Sequence, residues 1–226
     1  MSGAPQRRFA SWSITWARSE ASSKPNWWWF KVKLCEFLGR LNNLKRMPRT
    51  GWLLCNVPLS EVEDVAQHTF DVAAITLLLV DELERRGKKL DRERALSMAV
   101  VHDWAEASIG DFPYTALKHL GPTGTKKRIE KRALEYLLGK LPNKEKYLKL
   151  WREYSEKRTL EAKLVHAADY LSMLVQAVKY RERGNRSKEL DELWRAVHKD
   201  IKIYEKELPP VMALIKELDE RYSGLQ

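Results

Sequence analysis

The stretch Ala99-Val100-Val101-His102-Asp103-Trp104-Ala105-Glu106 sets three ionisable side chains within five positions, directly behind an apolar run. Read as a turn and a half of helix, it projects neighbouring residues about 100° apart, so His102 and Asp103 can converge on an atom between them. Glu106, four beyond His102 and three beyond Asp103, overhangs the same point. Burying such groups without partners is costly, and a bound divalent cation would offset the cost. The remaining chain is therefore expected to send further ligands here.

Of 226 residues, 44% are hydrophobic, enough for a substantial core. The formal charge of +10 is uneven: the first 60 residues hold ten Lys and Arg against two acidic residues, leaving +2 for the other 166. A basic front end points to an anionic partner. The near balance elsewhere argues against nucleic acid as the partner of the whole fold. Two cysteines, Cys35 and Cys55, make neither a disulfide framework nor a zinc knuckle, and free thiols imply a reducing compartment. The longest apolar run, Val72 to Val80 broken by Thr76, is far too short to span a bilayer. No apolar stretch follows Arg7 and Arg8 to make a secretory signal. The expected location is the cytoplasm, with no membrane partner.

Residues 1–25 read as a peripheral, poorly ordered arm rich in basic residues and Trp, and 26–222 as one helical domain. Asn26 is placed to cap a helix running to about Leu44. Trp27, Trp28 and Trp29 point three ways, so at least one meets something beyond its own core: a subunit contact, or a platform for stacked bases. Lys45 to Pro58 is a loop. Ser60, with Glu63 three on, reads as a capping box opening the next helix, and Asp91 caps the one after. Further helices are expected over about 125–138, 143–157, 160–183, 187–208 and 209–222, the last opened by Pro209 and Pro210. No alternation long enough for a sheet occurs, and no internal repeat. The expected fold is all-α.

His68, beside Val65 and Val72, and Asp169, between Val165 and Met173, lie on or near apolar stripes. Each alone reads as an ordinary core histidine or a solvent-facing aspartate. His166 and His119 are rival ligands, and His198 reads as surface. Taken together, His68, His102-Asp103 and Asp169 form an order that resembles the metal site of the HD-domain phosphohydrolases. The runs RMPRTGWLLCNVPLSEVEDVAQHTFDVA, ALSMAVVHDWAEASIGDFP and EAKLVHAADYLSMLVQAVKY extend the likeness to the 5′-deoxynucleotidase branch, over roughly residues 30–205.

The resemblance implies an all-α HD fold, a homodimer, and one divalent metal held by His68, His102, Asp103 and Asp169. Imidazoles with carboxylates suit Co²⁺, Mn²⁺, Zn²⁺ or Fe²⁺. Glu106 is then free for proton transfer. Arg49 and Trp52 match the loop that meets the nucleotide: a guanidinium fork grips phosphate, and an indole can stack on a base or wall the sugar. In the bacterial deoxynucleotidases that arginine and tryptophan are neighbours, whereas Thr50-Gly51 separates them here. Asp111 either bonds a sugar hydroxyl or caps the short helix that follows. Lys118 is a further candidate for phosphate, and the other lysines read as a solvated face.

The expected activity is removal of the 5′-phosphate from deoxyribonucleoside 5′-monophosphates. Alternatives are another HD-type hydrolysis, of a triphosphate, cyclic dinucleotide or alarmone, or a non-catalytic nucleotide- or nucleic-acid-binding module. A triphosphate or alarmone would call for more cationic groups near the metal than the sequence places there.

Overall fold

The computed structural model describes residues 26–117 and 119–225, without the side chains of 26–30, 32 and 117. Residues 1–25, Lys118 and the side chains of Trp27, Trp28 and Trp29 lie outside that description. In chain order the helices are α1 (Asn26–Leu41), α2 (Thr50–Leu54), α3 (Val65–Arg85), α4 (Arg92–Val101), α5 (Glu106–Ile109) and α6 (Tyr114–Leu117). They continue as α7 (Thr125–Leu138), α8 (Lys144–Glu156), α9 (Leu160–Glu182), α10 (Lys188–Ile201) and α11 (Pro209–Gly224), with 3₁₀ turns at Asn42–Arg46 and Lys202–Tyr204. Among the described residues there is no sheet, only an isolated bridge between Pro48 and Asp64. The fold is all-α. No described helix is long and apolar enough to cross a membrane.

Helix α9 is buried on nearly every side, as a helix at the centre of a bundle must be. Ala162, Ala167, Ala168 and Ala177 carry no bulk, so α3 and α4 can pack closely against it. Helix α3 turns Val65, His68, Val72, Thr76, Leu79 and Leu83 inward, spaced three and four apart along one face. Helix α4 contributes Ala95, Met98, Ala99 and Val101. The other side of α9 is covered by α10 and α11 through Leu190, Trp194, Ile201, Val211 and Ile215. A second apolar cluster joins α1, α7 and α8 through Phe37, Leu134, Leu137, Leu148 and Trp151. His68 falls between Val65 of this second cluster and Val72 of the first. His102 likewise follows Ala99 of the first and Val101 of the second. The polar residues at issue thus sit where the two cores meet.

Helix α3 begins later than the Ser60 capping box would place it. Backbone bonds Arg49 N to Glu63 O (3.0 Å) and Val65 N to Met47 O (2.9 Å) tie residues 63–65 to the preceding loop, so winding starts only at Val65. The capping box is built instead by Asp64 and Gln67: Gln67 N donates to Asp64 Oδ1 at 2.8 Å and Asp64 N to Gln67 Oε1 at 2.9 Å. Asp91 caps α4 as expected, accepting from Arg94 N at 2.9 Å. Helix α1 stops at Leu41 and tightens into the 3₁₀ turn rather than continuing to Leu44. We expect Asp64→Ala to cost about 1 kcal/mol of stability by chemical denaturation, the usual worth of an N-cap. Ser60→Ala is expected to stay within about 0.5 kcal/mol, as a substitution away from any such feature does.

Candidate active site

The stretch that carries His102 and Glu106 is not one continuous helix. Helix α4 ends at Val101, and the chain closes by bonds three residues apart: Trp104 N to Val101 O (3.1 Å) and Glu106 N to Asp103 O (3.0 Å). Such tight winding brings residues three apart into register, which sets Glu106 directly over Asp103. The expected convergence is kept, through a tighter turn than the α-helical spacing gives.

Each imidazole has one nitrogen already committed. His102 Nδ1 lies 2.7 Å from the Ala99 carbonyl oxygen, which can only accept, so Nδ1 carries the proton. The Ser172 hydroxyl donates to the Asp169 carbonyl at 2.8 Å, so its oxygen faces His68 Nδ1, 3.0 Å away, as an acceptor. Both Nε2 atoms are left buried with no hydrogen-bond partner. They face carboxylates: Asp103 Oδ2 lies 3.0 Å from His102 Nε2 and 3.7 Å from His68 Nε2, and Asp169 Oδ1 lies 3.1 Å from His68 Nε2. Ligand atoms of His68, His102 and Asp103 all fall within 4.8 Å of one another. Asp169 joins from α9, its Oδ2 accepting from Tyr154 OH at 3.0 Å. Bare nitrogens turned toward carboxylate oxygens, in the interior, are the donor set a divalent cation takes. The residues fit a metal.

Charge in the site tells the same story. Burial opposes ionisation of Asp103, yet His102, Arg49 and His68 together hold its carboxyl below the usual range. Burial likewise opposes ionisation of Asp169, and the close approach of His68, with His102 and Arg49 beyond it, holds its carboxyl below the usual range. Glu106 goes the other way: burial first, then repulsion from Asp103, pushes its carboxyl well above the ordinary value. Its Oε2 is buried without a hydrogen-bond partner. Environment thus pushes neighbouring carboxyls in opposite directions, Asp103 and Asp169 down and Glu106 up, a pattern acid–base chemistry uses.

Arg49 enters from the loop held by the Pro48–Asp64 bridge. Its Nη1 is 3.1 Å from Asp111 Oδ1, 3.5 Å from Asp103 Oδ2 and 3.9 Å from Glu106 Oε2. Asp111 reaches this place because Gly110, at φ 75°, ends α5 with a reversal open to glycine. Its Oδ2 accepts from Thr50 N at 2.6 Å and from Thr50 Oγ1 at 2.7 Å. Asp111 therefore caps the distant α2 and braces Arg49, not the helix that follows it.

Trp52 is not a wall of the site. It is 2% exposed, its Nε1 donates to Glu63 Oε1 at 2.7 Å, and its ring meets Tyr180 edge-on. Arg49 is extended where α2 begins, so the helical phase that would keep the two side chains together is lost between them. His166 is no ligand either: its Nε2 donates to the Tyr154 carbonyl at 3.0 Å and its ring stacks on Tyr154 at 3.9 Å. His119 is exposed. His198 pairs with Asp219 at 2.8 Å, half-buried and not on the surface as its charged setting implied.

Several residues here escaped the sequence reading. Ser172, one turn beyond Asp169, has a spacing that could have drawn attention. Tyr154 carried no signal, and Glu63, read as part of a capping box with Ser60, is instead buried against Trp52. Lys126, counted with the solvated lysines, is paired with Glu130 at 3.2 Å. Burial disfavours its charge, and the nearby charges of Glu130, Asp103 and Glu106 together more than restore it.

Two imidazoles and two carboxylates thus meet inside an all-helical protein, and His68, His102 and Asp103 are placed so that they could hold a metal ion. Residues 41–208 match the HD domain family, and the chain belongs to it. It is 32% identical over 195 residues to the protein named 5′-deoxynucleotidase HDDC2 of Xenopus laevis, covering 85% of this chain and 89% of that one. With the protein of the same name from Bos taurus it shares 33% over 189 residues, 82% and 84% of the two chains. Among solved structures, the PH0347 protein from Pyrococcus horikoshii OT3 is 40% identical with a TM-score of 0.69, over 85% of this chain and 99% of that one.

Burial, aided by the Lys157 charge, holds the His166 ring down to about 4 from 6.5, so it is neutral in the folded chain at pH 7. The unfolded chain takes up that proton as pH falls below about 6.5, the folded chain only near 4, so stability drops with pH across this window. Urea midpoints measured from pH 7 to 4 are expected to fall less steeply for His166→Phe than for the parent. Equal slopes would reject the assignment.

Proposed function

We propose that this chain is a metal-dependent phosphohydrolase that removes the 5′-phosphate from deoxyribonucleoside 5′-monophosphates. The observation that carries the reading is the meeting of two bare imidazole nitrogens with Asp103 and Asp169, beside the buried Glu106 and the Arg49 guanidinium. The 5′-deoxynucleotidase names of the relatives support the choice of ester.

His68, His102, Asp103 and Asp169 would hold one divalent ion, with Co²⁺, Mn²⁺, Zn²⁺ and Fe²⁺ all suited to this donor set. Such an ion neutralises phosphoryl charge and lowers the pKa of a bound water towards about 7. Among the described residues all three acidic contacts of Arg49 run through Nη1, leaving the rest of its fork to grip phosphate. Asp111 keeps that guanidinium aimed, and Lys126 adds a second positive charge at the cleft. Glu106, protonated at the outset, gives its proton to the departing 5′-oxygen as water adds to phosphorus and the P–O bond breaks. Lys118 remains a candidate contact for the phosphate. Trp52 supports the Arg49 loop from behind through Glu63.

We place the enzyme in the cytoplasm as a homodimer acting on a small nucleotide. The free thiols of Cys35 and Cys55 suit a reducing compartment. The extra charge of Lys126 is the one feature that favours a longer phosphate chain as substrate.

Purified protein with Co²⁺ or Mn²⁺ is expected to release phosphate from dAMP or dGMP and much less from AMP. Release from triphosphates alone would overturn the monophosphate reading. No turnover, with salt-sensitive oligonucleotide binding, would move the assignment to a binding module. Glu106→Gln is expected to lower kcat by roughly 10²- to 10⁴-fold, the usual worth of positioned acid–base catalysis, while binding metal as before. Asp169→Ala is expected to lose metal and activity together.

A further inference from the structure

We propose that Ser172 is a positioning residue for the metal centre: fixed between the Asp169 carbonyl and His68 Nδ1, its hydroxyl keeps the His68 proton on Nδ1 and leaves Nε2 bare. This rests on the reading of the site as a metal centre, and it concerns how one ligand is made ready for the cation.

A hydroxyl has one proton to give. In α9 that proton goes to the carbonyl of Asp169, one turn earlier, at 2.8 Å, a common local bond for serine within a helix. The oxygen is then an acceptor only, and at 3.0 Å from His68 Nδ1 it selects the ring form with hydrogen on Nδ1. Both residues are buried, Ser172 at 3% and His68 at 0% exposure, so water does not take over the task. The second histidine differs in kind. His102 Nδ1 bonds the main-chain carbonyl of Ala99, which no side-chain substitution removes. One imidazole is set by backbone, the other by a single replaceable hydroxyl.

Removing that hydroxyl does more than delete a hydrogen bond. The Nδ1 proton of His68 would lose its acceptor, and an unmade bond in the interior is costly. The ring has an alternative, because Asp169 Oδ1 lies 3.1 Å from Nε2. With its proton moved from Nδ1 to Nε2, His68 would bond Asp169 directly. That bond would engage the two ligand atoms a cation needs. Ser172 therefore sets the ring against a competing self-paired state, and also ties down the backbone that carries Asp169.

The test uses full-length protein, its Ser172→Ala variant and Ser172→Thr, which keeps the hydroxyl. Long-range ¹H–¹⁵N NMR of the metal-free proteins at about pH 8 reads which ring nitrogen carries hydrogen. The parent is expected to show the Nδ1–H form for both His68 and His102. In Ser172→Ala, His68 is expected to move to the Nε2–H form while His102 stays. Zinc affinity, read by competition with a chromophoric chelator, is expected to weaken roughly 10- to 100-fold in Ser172→Ala, the usual cost of losing such a partner. Ser172→Thr is expected to restore it. The proposal is overturned if the parent carries the His68 hydrogen on Nε2, a result that needs no variant, or if Ser172→Ala leaves His68 in the Nδ1–H form. Failure of the parent to bind zinc would instead sink the metal-centre reading, and the ring form would still be read independently.

Discussion

Unshared electron pairs turned on one another inside a protein govern this structure. His68 Nε2 and His102 Nε2 are buried, lack hydrogen-bond partners and face the carboxylates of Asp103 and Asp169 at 3.0–3.7 Å. Such a cluster repels itself unless something positive lies among its atoms, and the fold is arranged to keep it intact. Ala99 O and Ser172 Oγ hold the rings, and Tyr154 OH holds Asp169. The alanines of α9 let α3 and α4 approach closely enough for residues from three helices to share one point. The apolar clusters on either side bury both imidazoles and Glu106, which strengthens the interactions they make.

Around that centre, the polar residues divide between contact and support. Arg49 and Lys126 bring positive charge to a cleft otherwise dominated by carboxylates. Each is held by an acid of its own, Asp111 at 3.1 Å and Glu130 at 3.2 Å. Behind them, Trp52, Glu63 and Tyr180 form a buried brace. Glu63 accepts from the indole at 2.7 Å, and its own backbone N–H donates to Tyr180 OH at 3.0 Å. The brace ties the Arg49 loop to the start of α3 and to α9. Glu106, its carboxyl pushed up by burial and by Asp103, lies 3.9 Å from the Arg49 guanidinium.

Local pattern in the sequence reached a long way. Val65 and Val72 marked the inward face of α3, Asp91 marked the start of α4, and Pro209 the start of α11, because each rests on contacts within one or two turns. The order His68, His102-Asp103, Asp169 pointed to a shared cation only through its resemblance to the HD-domain metal site, since each residue alone had an ordinary reading. What escaped depended on distance between segments. The bridge from the preceding loop moved the α3 cap from Ser60 to Asp64, and no propensity within the helix could report it. Trp52 went inward because Glu63 offered its N–H an acceptor. The form of the His68 ring hangs on a hydroxyl 104 residues away. The sequence by itself determined which groups had to meet and that helices would carry them. Only the tertiary structure decided which nitrogen is bare and which carboxyl is pushed up, because both depend on burial and on partners that the chain brings together solely by folding.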